Sequence, residues 1–105
     1  MKKTINISGI DVDMKCTART PKIYRDIFHR DMFKDIQKLG QTQDVEILSD
    51  ICYAMAKHAN SDILEYDEWL DQFGMMDMLD VIDEVTDLWM TNNSMLNVEK
   101  NQEGQ

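Results

Sequence analysis

The sequence predicts a mainly α fold: an N-terminal β-hairpin packed on a single-domain bundle of four to five short helices, with a disordered polar tail. Three observations carry this. Apolar residues alternate with period two over residues 4–16, then recur at helical spacing in stretches between residues 21 and 91. The length of 105 residues is one domain's worth, enough to bury a modest core. One Pro and four Gly leave little material for a loop-rich or fibrous chain. The domain is expected over residues 1–92 and the tail over 93–105.

The hairpin comes from Ile5 and Ile7, then Ile10, Val12, Met14 and Cys16, with polar Asn6, Asp11, Asp13 and Lys15 between them. A tight turn near Ser8-Gly9 joins the two runs. A lone hairpin is marginal in water, so its apolar face must lie on helices. Thr20-Pro21 reads as a helix start, a capping hydroxyl followed by a proline at the first helical position. Tyr24, Ile27 and Phe28, then Met32, Phe33, Ile36 and Leu39, form its apolar stripe, and Gly40 is expected to end it. His29-Arg30-Asp31 leaves open two short helices in place of one long one. Asp44 caps the next stretch, where Val45, Leu48, Ile51, Cys52, Met55 and Ala59 make one apolar face. After a loop at Asn60-Ser61-Asp62, Tyr66, Trp69, Leu70 and Phe73 form a short aromatic helix stopped by Gly74. A last helix from about Met76 to Thr91 packs Leu79, Ile82, Val85, Leu88 and Trp89. The residues beyond are polar and without period, hence the expected tail.

Hydrophobic residues make up 43% of the chain and charged ones 30%, ordinary globular usage. No apolar run approaches the roughly 20 residues that cross a bilayer. The N-terminus opens with Met-Lys-Lys but has no apolar stretch behind it, so secretion is not expected. Cys16 and Cys52 lack metal or redox spacing and suit a reducing compartment. The net charge of −9 is split. Residues 1–40 carry nine Lys/Arg against five Asp/Glu, a balance of +4; residues 41–105 carry two against fifteen, a balance of −13. So acidic a body repels nucleic acid and anionic membranes, and neither is expected as a partner.

The chemistry-bearing residues select no reaction. Asp77, Asp80, Asp83, Glu84 and Asp87 recur along one stripe, but carboxylates on one straight helix cannot wrap a cation. They read as the solvated face opposite Leu79, Ile82 and Leu88. Asp11-Val-Asp13 lacks the Gly and closing Glu of a calcium loop. His29 and His58 have no partner pattern, and His58 near a helix C-terminus suits a structural role. Cys16 and Cys52 fall on apolar faces, where thiols are inert. No catalytic, cofactor or metal residues are assigned, and the expected protein is not an enzyme.

Two features favour protein binding. Of nine methionines, Met75, Met76 and Met78 crowd one junction; three such neighbours cannot all face one core, and flexible thioethers suit adaptable surfaces. The first helical region is basic, with Lys22, Arg25, Arg30, Lys34 and Lys38. That charge either packs on the acidic remainder of the same chain or lets copies associate head to tail. Arg25, Arg30, Lys34, Met75, Met76 and Met78 are therefore the candidate protein-binding residues.

The order of these pieces resembles the tail assembly chaperones of siphophages and prophages of Gram-positive bacteria. The resemblance rests on Cys16-Thr-Ala-Arg-Thr-Pro21, Tyr24-Arg-Asp-Ile-Phe28, Asp31-Met-Phe-Lys-Asp-Ile36, Tyr53-Ala-Met-Ala-Lys57 and Asp67-Glu-Trp-Leu-Asp-Gln-Phe73, and spans roughly residues 4–92. It implies a non-enzymatic protein of the bacterial cytoplasm, absent from the finished virion. Such proteins coat the hydrophobic tape measure protein before tail tube subunits polymerise around it. The tape measure protein, further copies of the chain and the tail tube protein are the partners it implies. In many phages the gene also yields a longer product by frameshifting, and the junction would fall near Asn93. A rival reading is an acidic phage-encoded inhibitor that mimics nucleic acid on a host protein; the positive first helix works against it.

Overall fold

The computed structural model describes residues 2–92, with side chains described to residue 90. Strands β1 (Lys2–Ile7) and β2 (Ile10–Lys15) pair antiparallel, with Ile5 opposite Val12 and Ile7 opposite Ile10. Ser8 and Gly9 both take positive φ, 52° and 89°, the two-residue turn whose twist matches that of the strands. Asn6 Oδ1 accepts the Gly9 N–H at 3.0 Å. Ile5, Ile7, Val12, Met14 and Cys16 are buried and Ile10 half-buried, so period two does place one face on the helices.

Helix α1 (Thr20–Phe28) has Pro21 in its first turn, but Thr20 does not cap it. Thr20 is wholly buried, and its Oγ1 accepts the Thr17 N–H at 2.8 Å and lies 3.0 Å from His58 Nδ1. The hydroxyl pins the strand-to-helix turn to the end of a later helix instead. The break at residues 29–31 is real. His29 closes α1 in the left-handed region, φ 59°, its N–H bonding Arg25 O at 2.8 Å. Asp31 then caps α2 (Met32–Thr42), Oδ1 accepting from Phe33 N and Lys34 N.

Gly40 does not end α2. The helix runs two residues further and stops at Gln43, φ 53°, whose N–H bonds Leu39 O at 2.8 Å. Asp44 caps α3 (Val45–Ala59) as expected, accepting from Glu46 N and Ile47 N. Its burial is not one-faced: every residue from Ile47 to Ala56 is buried, Ser49 and Asp50 included. The central helix packs against β2, α1, α2, α4 (Tyr66–Leu70) and α5 (Asp77–Asp80).

The expected last helix is two. Leu79 and Val81 N–H groups bond only three residues back, to Met76 O and Met78 O, and Val81 leaves helical geometry at φ −114°. Helix α6 (Ile82–Asn92) follows and packs on β1. Met78 and Val81 reach the core before the break, Val85, Leu88 and Trp89 after it. The described residues thus form a hairpin and six helices, a mainly α fold with one helix more than the sequence suggests. None of these helices is long and apolar enough to cross a membrane. The expected tail at 93–105, and any junction near Asn93, lie outside the described residues.

Candidate protein-binding surface

The left-handed turn at His29 aims Arg30 back over α1. Its Nε donates to Asp35 Oδ2 at 2.8 Å, and Nη2 donates to Tyr24 Oη at 2.9 Å and to Asp50 Oδ2. Tyr24 Oη donates to Asp35 Oδ2 at 2.6 Å, and Tyr66 Oη donates to Asp50 Oδ1. The guanidinium carbon also lies 5.7 Å and 5.5 Å from the Tyr24 and Phe28 ring centres. Arg30 therefore ties α1, α2 and α3 together, and Asp50 extends the network to α4 through Tyr66. Burial alone would push the Asp35 carboxyl up; hydrogen bonds from Tyr24 and Arg30, with the charges of Arg30 and Lys38, hold it below its ordinary value. Burial, then the Asp50 carboxylate, raises Tyr66.

This changes the basic face. Arg30 is committed to the fold and is not a spare cation, although its side chain is 44% exposed. Arg25 is exposed and meets Asp31 at 3.5 Å, and Lys34 is exposed at the start of α2. Between Lys34 and buried Met32 stands Phe33, expected in the apolar stripe but 62% exposed. A surface aromatic next to Lys34 is a feature that periodicity concealed.

The methionines divide. Met75 is 85% exposed and Met76 51%, whereas Met78 is buried in the core and contributes nothing to the surface. The segment presenting them is held from both sides. Phe73 N–H bonds Leu70 O at 3.0 Å, Gly74 N–H donates to Asp77 Oδ2 at 2.7 Å, and Asp77 N–H bonds Gly74 O at 3.1 Å. Behind it, the Trp69 and Phe73 rings meet edge to face at 5.0 Å. Two thioether chains thus project from a braced turn.

The Thr20–His58 pair has the spacing of a nucleophile and its base, but Thr20 is fully buried and its oxygen already accepts the Thr17 N–H. Burial, then the charges of Arg19 and Lys15, lowers His58. Cys16 and Cys52 are both buried, and burial pushes the Cys52 thiol up to about 12. Among the described residues no group of three or more His, Cys, Asp or Glu side chains could hold a metal ion. The carboxylate stripe is interrupted at Val81, and its first member, Asp77, is turned onto Gly74. Comparison with protein-family models, curated proteins and solved structures finds no match.

Proposed function

We propose that this chain is a non-catalytic assembly chaperone of the kind its sequence resembles, a cytoplasmic protein of the bacterial host that keeps a tape measure protein soluble during tail morphogenesis. The observation that carries the reading is the braced pair Met75 and Met76, two flexible apolar side chains held in solvent by an ordered turn. Adjacent exposed apolar side chains mark contact surfaces where single ones do not, and methionine adapts to irregular apolar helices. Phe33, flanked by Lys34, supplies a second apolar contact with adjacent positive charge.

Copies assemble along the client through the basic face carrying Arg25 and Lys34 against an acidic face of a neighbour, such as Asp83, Glu84 and Asp87, all exposed. Arg30 takes no part in that contact, since its charge is neutralised by Asp35 and Asp50.

Co-expression with a tape measure protein, followed by pull-down, tests the proposal. Met75→Lys combined with Met76→Lys should abolish capture and leave the melting temperature unchanged. Equal capture by that variant would remove the methionines from the interface. Capture by neither form would overturn the reading. Reversing Arg25 and Lys34 to Glu should weaken self-association in low-salt sedimentation, and an unchanged coefficient would exclude the charge-mediated contact.

A further inference from the structure

The hairpin leaves one strand edge open beside a cleft. With a two-residue turn at Ser8-Gly9, Ile7 and Ile10 exchange backbone bonds, and the pairs Ile5–Val12 and Lys3–Met14 follow in the same alternation. On β2 the intervening residues Asp11 and Asp13 therefore aim their N–H and C=O groups away from β1. Their side chains agree with this register: Asn6 Nδ2 donates to Asp11 Oδ1 at 2.8 Å and Thr4 Oγ1 to Asp13 Oδ1 at 2.5 Å, across the closer pairs. Among the described residues no hydrogen bond takes up the outward backbone groups of Asp11 and Asp13. At Lys15 the open stretch stops, because Thr20 and His58 meet that backbone.

The cleft has a volume of about 620 Å³. It is lined by Val12 from the inner face of β2 and by Asp11 and Asp13 from the outer face, so it runs along the strand's edge. Its other wall holds Ile63, Leu64 and Trp69. That wall is fixed by Tyr53 Oη donating to Leu64 O at 2.8 Å and by the Tyr53–Trp69 ring contact at 5.2 Å. Asp62 adds a third carboxylate, and no Lys or Arg is among the lining residues.

We infer that this edge binds an extended peptide segment with alternating basic and apolar side chains, added to β2 as a third strand. Backbone bonds to Asp11 and Asp13 supply register. Side chains on one face of the guest meet the two carboxylates, which have only neutral donors of their own. Those on the other face reach Ile63 and Leu64. The inference is independent of the chaperone reading: it concerns an extended guest, and neither Met75 nor Met76 lines the cleft.

The test uses the full chain, isotopically labelled, and a capped peptide of alternating Lys and Val. Saturable amide shifts are expected at Asp11, Asp13, Ile63 and Leu64, with exchange at the Asp11 and Asp13 amides slowed about tenfold or more. Asp11→Asn with Asp13→Asn should weaken binding about fivefold at low salt. Two alternately N-methylated peptides, one methylated at Lys and one at Val, separate strand addition from charge attraction. One should lose binding by about tenfold while the other keeps it, since only alternate N–H groups face β2. Equal binding by both, or shifts confined to other residues, would overturn the proposal.

Discussion

Arg30 sits between two carboxylates, a phenol and two aromatic faces, a set of contacts that an ammonium cannot reproduce. Arg30→Ala should cost roughly 2 kcal/mol, below the value for a fully buried pair because the side chain is partly exposed. Arg30→Lys should recover little of it, and Arg25→Ala should change stability by no more than about 0.5 kcal/mol. Urea denaturation of the three variants checks the order. Asp35 adds a pH signature. Its folded pKa is lowered, so its contribution is complete above an unfolded value near 4 and is lost as the pH falls through the folded one. The urea midpoint should therefore drop more steeply as the pH falls below about 5 in the parent than in Asp35→Asn. Composition announces a basic first third; it does not tell which arginine is consumed by the fold. The left-handed turn at His29 settles that: histidine is among the residues enriched in this conformation, so a break there could be suspected, but not that it would turn Arg30 onto Asp35 and Asp50.

Helix ends show where reading by rule succeeds and where it stops. Asp44 caps α3 as its place in the sequence suggests, and the Ser8-Gly9 turn was legible from its flanking alternation. Asp31 caps α2 by the same chemistry, although the sequence only left open a break at residues 29–31. Gly40 misleads, because a glycine after the last apolar residue is a common stop signal, yet here the chain continues to Gln43. The opposite consequence follows for mutation. Nothing lies within 4 Å of a Cβ added at Gly40, so Gly40→Ala should stabilise by about 1 kcal/mol. Gln43→Gly should gain about 0.5–1 kcal/mol by relieving the left-handed position. Had Gly40 been the stop, alanine there would destabilise; thermal melts of both variants decide. The split at Val81 left no sequence trace, since residues 78, 81, 85 and 88 keep helical spacing across it. Periodicity records which side chains meet the core, not whether the ladder between them is continuous.

The molecule as a whole is organised around α3, which is buried on all sides from Ile47 to Ala56. Its stripe was visible in the sequence; its full enclosure was not, because Ser49 and Asp50 are polar and lie outside that stripe. Asp50 is admissible inside only because Arg30 and Tyr66 reach it from other elements, a long-range pairing that spacing does not encode. The candidate surface was half legible in the same way. Crowding implied that some of Met75, Met76 and Met78 face solvent, and three-dimensional packing selected which. Met78→Ala should lower stability by about 2–4 kcal/mol, whereas Met75→Ala should leave it within about 0.5 kcal/mol. Paired denaturation curves check this, and similar losses at both sites would place Met75 in the core.

Cys52 gives this fold a built-in clock. Its sulfur is wholly enclosed in the central helix, and its proton is held to about 12. A small disulfide reagent meets a reactive thiolate there only after α3 has left its neighbours. In a Cys16→Ala background, with reagent in enough excess that labelling outpaces reclosing, the labelling rate in native buffer counts how often α3 opens; at lower reagent it reports the open population.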